Sequence, residues 1–328
     1  MKGMKIMKKR GFIIAFIIIA ILLSGAYGVG TYFVNYALSP ASESDQRVVD
    51  EEDEIKLTGD VQQQIDDNAD AEFIKGVDFE NKTRPMIVSQ DDSLRLKGQY
   101  LDHDNVHQWV ILIHGYKSSN EEMMSYGATY YENGYNVVLP DNRAHGESEG
   151  TYIGFGWLDR LDCIQWIHQV KDYFHKDLQI VLHGISMGSA TVLMASGEEL
   201  PDDVKCIISD CGFTSVLDEF KHELHQRHIP ASLVLPTATL LSKKRVGYSF
   251  KEASTIEQVK KSKTPTLFIH GDRDNFVPTY MVYDLYNACS ADKDLLIVEG
   301  AGHAQSYLVD PQLCESTIIE FMNKYVKE

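Results

Sequence analysis

The sequence is poor in positive charge and in cysteine, and it has no basic patch beyond its first ten residues. Against 48 Asp and Glu residues it carries 31 Lys and Arg, which gives a net charge of −17 over 328 residues. Nucleic acid and anionic membrane surfaces would repel such a chain, so neither is expected as the partner of its main domain. The five cysteines are odd in number and lie in apolar or helical stretches, which argues against a disulfide framework.

Charged residues are wholly absent from Gly11 to Leu38. As a helix, an apolar run of this length can cross a hydrocarbon core of about 30 Å, and the basic residues 1–10 are expected to stay in the cytosol. We predict a basic cytoplasmic flank at 1–10, a transmembrane anchor at 11–38, and a single-pass protein of the cell membrane whose remaining residues are extracellular. The alternative is a cleaved secretory signal ending at Ser24-Gly25-Ala26, which would leave a secreted protein.

Residues 39–70 are rich in Asp and Glu and almost free of aromatic side chains. A segment of this composition buries too little apolar surface to fold alone. We therefore predict a solvated acidic linker at 39–70, which holds a folded domain at 71–328 away from the bilayer.

From residue 72 onwards, strand patterns alternate with amphipathic helical patterns. The stretches 72–80 and 86–101 have the alternation typical of antiparallel strands. Six short apolar runs follow, of the kind typical of buried parallel strands: WVILIHG, YNVVLPD, LQIVLHG, VKCIISD, TPTLFIHG and DLLIVEG. This order predicts an α/β fold with a mostly parallel central sheet and helices on both faces, and ligands bind such a sheet beyond the carboxyl ends of its strands.

The stretch GISMGS, residues 184–189, follows one of these runs and opens a helical pattern. A tight turn from strand to helix with Ser186 at its apex brings together the residues two places before and after the serine, so that glycine is wanted at both positions. The serine is then exposed at the sheet edge, beside a helix N-terminus that favours negative charge. We predict that Ser186 is a nucleophile.

A serine hydroxyl needs a base to remove its proton and an acid to orient that base. Two loops at the same sheet edge supply these groups. The loop after TPTLFIHG offers Asp272 and Asp274, and His303 lies just beyond DLLIVEG. Asp210, at the end of VKCIISD, is a third candidate for the acid.

From about residue 72 to its end, the chain resembles the α/β-hydrolase superfamily. The resemblance is carried by HGYKSS, DNRAHGESEG, GISMGSA, HGDRDNFVP and GAGH. It is greatest to membrane-anchored or exported hydrolases of Gram-positive bacteria, and more distant to serine esterases, lipases and aminopeptidases. The resemblance implies an α/β-hydrolase fold in which the acid stands three residues after a glycine, which is Asp274 after Gly271, while Asp272 orders the loop.

Backbone N–H groups are expected to form the oxyanion hole, because fixed dipoles stabilise the developing charge without reorganising. One belongs to Met187, the residue after the nucleophile, and the resemblance assigns the other to Tyr116. Between Asp210 and the next strand, the apolar region from about 213 to 259 is interrupted by prolines and predicts a small helical cap over the site. Its apolar residues favour an apolar group on the substrate.

The remaining histidines are interpreted as structural. His145 is expected to hydrogen-bond within its own loop, with a direct substrate role as the alternative. The spacing of His222, His225 and His228 spreads them around a helix, and no HExxH motif is formed. No metal and no cofactor are expected.

These residues together predict a serine hydrolase that cleaves carboxylic esters of small molecules through an acyl-enzyme. A peptidase or amidase, a thioesterase or an acyltransferase would use the same triad, since the pocket and not the fold decides the substrate. A non-catalytic surface binding module is a remote alternative.

Overall fold

The computed structural model describes residues 2–40, 59–89, 94–174 and 177–327. The strands in these ranges are β1 (Arg84–Ser89), β2 (Arg95–Leu101), β3 (Gln108–Ile113), β4 (Asn136–Pro140), β5 (Gln179–Ile185), β6 (Val204–Asp210), β7 (Thr266–Gly271) and β8 (Lys293–Val298). The helices are α1 (Lys2–Leu38), α2 (Gly59–Glu80), α3 (Met124–Glu132), α4 (Asp159–Phe174), α5 (Met187–Ala195), α6 (Val216–Gln226), α7 (Ala231–Arg245), α8 (Thr255–Val259), α9 (Tyr280–Ala288), α10 (Ser306–Val309) and α11 (Pro311–Met322).

The eight strands form one sheet in the order β1-β2-β4-β3-β5-β6-β7-β8. β2 pairs antiparallel with both β1 and β4, and every later pairing is parallel. The six apolar runs are β3 to β8, which confirms the prediction of a mostly parallel sheet. The stretch 86–101 contributes two antiparallel strands, also as predicted.

Both faces of the sheet are covered by helices. In β3, Val110 and Leu112 belong to one core cluster, while Trp109, Ile111 and Ile113 belong to another. The first cluster includes residues of α3 and α11, and the second includes residues of α4 and α9. Because the central strands are buried on both faces, their sequences are continuously apolar and not alternating.

Helix α2 departs from the sequence predictions. Residues 72–80, expected to form a strand, are its second half, so that prediction is wrong. Residues 59–70 were expected to belong to a solvated linker, but they form the first half of α2 and pack through Ile65. Residues 41–58, the rest of the predicted linker after residue 40, lie outside the described residues. The buried positions of α2 have helical spacing, but several are polar or small, and Phe73 and Ile74 face solvent. The apolar period of 3.6 residues is therefore hidden in the sequence.

Helix α1 ends inside the folded domain. Val34 and Leu38 are fully buried, in a third core cluster shared with Met187 of α5 and with residues of α6 and α7. The backbone N–H of Ile153 donates to the carbonyl oxygen of Leu38 at 2.8 Å. The packed domain thus includes the end of α1, whereas the sequence predicted that the domain starts at residue 71.

Among the side chains that the structure describes, no helix has an apolar stretch long enough to cross a membrane. The predicted transmembrane helix at 11–38 is therefore unconfirmed.

The region between β6 and β7, where the cap was expected, contains α6, α7 and α8. α7 carries Pro236 in its interior and packs against α1 through Val234, Ala238 and their neighbours. All five cysteines are buried free thiols: Cys163, Cys206, Cys211, Cys289 and Cys314.

Candidate active site

Ser186 stands at a sharp turn between β5 and α5. Its backbone has φ 55° and ψ −116°, a strained conformation for a residue with a side chain. A Cβ atom at Gly184 would lie 2.1 Å from the carbonyl oxygen of Gly188, and one at Gly188 would lie 2.0 Å from that of Ile113. Only glycine fits at both places, as the sequence indicated.

The structure brings the three predicted triad side chains together at the carboxyl edge of the sheet. His303 Nε2 lies 2.8 Å from Ser186 Oγ, and His303 Nδ1 lies 2.7 Å from Asp274 Oδ2. Ser186 is only 8% exposed, and His303 is half-buried. If Nδ1 carries the proton, His303 donates to Asp274 and offers Nε2 as acceptor to the serine hydroxyl. This is the geometry that serine activation requires.

Asp274 is held as a carboxylate by the groups around it. Its Oδ1 accepts from the backbone N–H groups of Phe276 at 3.0 Å and Val277 at 2.8 Å, and its Oδ2 lies 3.1 Å from Nε2 of His270. Burial raises the pKa of this carboxyl, but the charges and hydrogen bonds of His303 and His270 outweigh burial and hold the pKa well below its ordinary value. Asp274 is therefore a carboxylate at neutral pH.

The other two candidate acids have different partners. Asp272 and Asp274 lie on the loop after β7, here named the acid loop. Asp272 Oδ1 accepts from the backbone N–H of Gly300 at 2.6 Å and so joins the acid loop to the loop that precedes His303. Asp210 is buried at the end of β6, where its Oδ1 accepts from Ser306 Oγ at 3.4 Å. Burial raises the pKa of Asp210 to about 6. Among the three, Asp274 is the acid in hydrogen-bond contact with His303.

Both predicted oxyanion donors border the nucleophile. Met187 is the first residue of α5, where a backbone N–H has no partner within the helix. Tyr116 follows β3 on a loop that passes beside the nucleophile, since a Cβ atom at Gly115 would lie 3.6 Å from Ser186 Cβ. The Tyr116 hydroxyl donates to the carbonyl oxygen of Ala37 at 2.8 Å, so the end of α1 restrains this loop.

His145 supports the same loop, in agreement with its structural interpretation. Its Nε2 accepts from the backbone N–H of Lys117 at 3.0 Å, and its Nδ1 lies 2.9 Å from the carbonyl oxygen of Arg143. Burial lowers the pKa of His145 to about 3, which keeps the ring neutral and able to accept. His145 thus fixes the residue next to Tyr116.

Of the three histidines in and just after α6, His222 makes a structural contact, while His225 and His228 are exposed. His222 Nε2 hydrogen-bonds the carbonyl oxygen of Asn275, which joins α6 to the acid loop. Within the described ranges, the side chains close enough to share a metal ion are Cys211, Asp274 and His303, two of which form the hydrogen-bonded pair above. The contact between His270 and Asp274 was not predicted from the sequence, although their i, i+4 spacing around a tight loop was a signal for it.

A sheet of this order with Ser186, His303 and Asp274 in contact at its carboxyl edge defines an α/β-hydrolase of the serine hydrolase type. The chain belongs to the prolyl oligopeptidase family, whose model matches residues 122–328. The solved structure of an esterase from Pyrococcus furiosus is similar to it, with a TM-score of 0.63 and 24% identity over 75% of this chain and 92% of that one. At this identity the likeness supports the fold alone.

Two bacterial relatives are also similar in sequence. The uncharacterized protein YqkD of Bacillus subtilis is 28% identical over 229 residues, which cover 70% of this chain and 75% of YqkD. The putative esterase YitV of the same organism is 28% identical over 184 residues, which cover 52% of this chain and 69% of YitV.

Proposed function

We propose that this hydrolase cleaves carboxylic esters through an acyl-enzyme on Ser186. The observation that carries the proposal is the relay of two short contacts, 2.8 Å from Ser186 Oγ to His303 Nε2 and 2.7 Å from His303 Nδ1 to Asp274 Oδ2. Ser186 Oγ attacks the ester carbonyl while His303 takes its proton at Nε2, and Asp274 stabilises the imidazolium that results.

The two halves of the reaction use the same groups in turn. The backbone N–H groups of Met187 and Tyr116 stabilise the negative oxygen of the tetrahedral intermediate. As this intermediate collapses, the bond to the alcohol oxygen breaks, and His303 gives that oxygen its proton. A water molecule then attacks the acyl-enzyme with His303 as base, which releases the acid and restores the Ser186 hydroxyl.

An apolar group on the substrate is supported by the third core cluster. Met187 belongs to it together with Phe155, Phe213 and Phe220, and the Tyr116 ring packs 4.9 Å from that of Phe155. The side chains clustered with Met187, the residue after the nucleophile, are thus largely aromatic and aliphatic, and these surroundings suit an apolar acyl or alcohol group.

A peptidase or amidase is the second candidate. It is supported by membership of the prolyl oligopeptidase family, whereas the putative esterase YitV supports ester cleavage. Aryl esters of increasing acyl length and aminoacyl amides, assayed side by side on the full-length protein, distinguish the two. Ester hydrolysis predicts a kcat/KM for the best ester that exceeds that of every amide.

The catalytic role of Ser186 is tested with Ser186→Ala and a fluorophosphonate probe. The variant should lose covalent labelling and lose on the order of 10⁴-fold or more in ester turnover, because the triad acts as a unit. Its circular dichroism spectrum and unfolding temperature should match those of the wild type. Full turnover or labelling in this variant would refute Ser186 as the nucleophile, whereas a wild type with neither turnover nor labelling would favour a binding module.

We further propose that the uncharged run of residues 11–38 anchors the protein in the cell membrane through its outer part, residues 11–29, with the catalytic domain outside. The uncharged run supports this, and so does the exposure of its apolar side chains, such as 73% for Phe16 and 65% for Ile21. α1 continues without a break through Ser24-Gly25-Ala26, the site of the alternative signal cleavage. Sequencing the N-terminus of the membrane-bound protein checks this, since a chain starting at Tyr27 would mean that the signal is cleaved.

A further inference from the structure

Helix α1 changes its surroundings abruptly near Gly30. The described side chains from Ile13 to Val29 are exposed, apart from the half-buried Ala26. From Gly30 onwards the helix packs on α7, and a Cβ atom at Gly30 would lie 2.8 Å from Thr237 Cγ2. Most of the described side chains in the outer part of α1 are therefore open to their surroundings, while the end of the helix is built into the catalytic domain.

The junction between α1 and the cap is held by polar contacts as well. The Arg245 guanidinium at the end of α7 donates to Thr31 Oγ1 at 3.2 Å, to Asn35 Oδ1 at 3.3 Å and to the Tyr27 hydroxyl at 3.4 Å. The Phe33 ring packs edge-on against Phe220 with 5.1 Å between ring centres. The uncharged run is thus joined to the cap by a packed interface and not by a flexible linker.

The outer face of α7 is apolar and exposed. Leu233 and Leu240 are 68% and 69% exposed, and they lie two helical turns apart on the same side, with the exposed Pro236 between them. Ile229, just before the helix, is 42% exposed. The helix ends in Lys243, Lys244 and Arg245, of which Lys243 pairs with Glu252 at 2.8 Å and Arg245 donates to α1, while Lys244 is an exposed basic side chain beside the apolar ones. Apolar side chains beside basic ones are typical of surfaces that lie at a membrane interface.

We propose that this face of α7, formed by Ile229, Leu233, Pro236 and Leu240 and here named the cap face, lies against the lipid bilayer that α1 enters. At 1.5 Å per residue, residues 11–29 span about 28 Å, close to the thickness of the hydrocarbon core. The outer boundary of the hydrocarbon then falls near Gly30, where α7 meets α1. The cap is consequently placed at the membrane surface.

The consequence for the enzyme rests on the proposed ester hydrolysis. An ester that partitions into the bilayer reaches the cap without first leaving the lipid, so membrane-borne amphiphiles are the favoured substrate class. A second copy of this chain covering the cap face is the competing arrangement, and the experiment distinguishes it from lipid.

The test uses the full-length protein reconstituted in vesicles, with single-cysteine labels. Because all five native cysteines are buried, a thiol-reactive fluorophore should label Leu240→Cys and Leu233→Cys selectively. Leu313→Cys on α11 is the matched control, since Leu313 is 41% exposed and α11 packs in a different core cluster. Lipids brominated near the top of their acyl chains should quench the labels at 233 and 240 several times more strongly than the label at 313.

Equal quenching at 240 and 313 would overturn the proposal, and so would crosslinking of two copies through residue 240 with no quenching by lipid. The measurement repeated on Ser186→Ala should give the same quenching, so a failure of the proposed chemistry is seen separately from a failure of docking. Leu233→Glu combined with Leu240→Glu should keep the turnover of a soluble ester and lower that of a vesicle-embedded ester by about fivefold or more.

Discussion

At the scale of single residues, the acid loop shows how two carboxylates of the same type are given different tasks. Asp274 is buried between His303 and His270 and accepts two backbone N–H groups, so its charge is fixed beside the imidazole. Asp272 is exposed and accepts from Gly300. Its contact shapes the loop that carries His303 and leaves the imidazole untouched.

Replacing the two carboxylates separately should give very different enzymes. Asp274→Asn keeps the volume of the side chain but loses the charge that stabilises the imidazolium, so kcat should fall by on the order of 10³- to 10⁴-fold. Asp272→Asn keeps an oxygen acceptor for Gly300 and should lower kcat by less than about tenfold. Steady-state kinetics on a soluble ester measure both, and the reverse ranking would move the catalytic acid to Asp272.

The contact among Ser186, His303 and Asp274 was predictable because each of these side chains sits in a short motif whose geometry is local. Ser186 lies between two glycines that a tight turn demands, and Asp274 and His303 follow the neighbouring parallel strands β7 and β8, which end at the same edge. The contact of Tyr116 with Ala37 was not predictable, because it joins residues 79 positions apart through the docking of a helix. Nothing in either segment alone encodes that docking.

At the scale of secondary-structure elements, α2 is the helix that hydrophobic periodicity in the sequence did not predict. Its buried side is completed by Ala69, Gly76 and the uncharged parts of longer side chains, so packing and not apolar residues defines the helix. A Cβ atom at Gly76 would lie 3.4 Å from Met124 Cβ, which shows how closely α2 approaches α3. Close packing of this kind is decided by the partner helix, and a single segment does not reveal it.

The start of α4 contains a buried carboxyl that should make stability depend on pH. Asp159 Oδ2 accepts from the backbone N–H of Gly156 at 2.7 Å, while its Oδ1 is buried with no hydrogen-bond partner in the described structure. Burial first, and then the nearby charge of Asp162, raise the pKa of Asp159 to about 7, although Arg143 lowers it. The folded state therefore binds this proton more tightly than the unfolded state does.

Asp159→Asn should flatten the pH dependence of unfolding between about pH 4 and pH 7. Below about pH 4 the Asp159 carboxyl is protonated in both the folded and the unfolded state. As the pH rises from about 4 to 7, the unfolded state releases this proton first, which lowers the free energy of unfolding of the wild type by up to roughly 4 kcal/mol. The amide of the variant has no such dependence. Denaturant unfolding at a series of pH values measures this, with Asp284→Asn on the exposed face of α9 as control. Parallel curves for wild type and Asp159→Asn would contradict the assignment.

At the scale of the whole molecule, the acidic segment does not separate the catalytic domain from α1. The last residues of α1 fill the core beneath the cap, and the chain returns through α2 to pack on α3. The predicted separation of α1 from the domain is therefore replaced by direct packing between α7 and the end of α1. Charge patterning predicted a solvated linker at 39–70, but residues 59–70 belong to α2, and the pattern could not reveal that the helix before them was already part of the domain.

Two fragments that differ by twelve residues test whether the end of α1 belongs to the folded enzyme. The fragment 27–328 keeps Val34, Ala37 and Leu38, whereas the fragment 39–328 lacks them and also lacks the carbonyl that accepts from Tyr116. Each large apolar side chain removed from a core costs roughly 1.5–3 kcal/mol. The loss is a sizeable share of the roughly 5–15 kcal/mol by which domains are stable.

We expect the fragment 27–328 to unfold cooperatively and to hydrolyse a soluble ester at a rate close to that of the full-length protein. The fragment 39–328 should unfold at a temperature at least about 5 °C lower. It should also bind a hydrophobic dye, because the third core cluster is uncovered when the end of α1 is missing. Its kcat should also fall, because the loop carrying Tyr116 loses the hydrogen bond that restrains it. Restoring the missing helix as a separate peptide, residues 27–38, should recover part of both losses, whereas a peptide with Val34→Asp and Leu38→Asp should not. If the two fragments have the same unfolding temperature and the same kcat, then α1 ends outside the enzyme, and the cap cannot be held at the membrane by it.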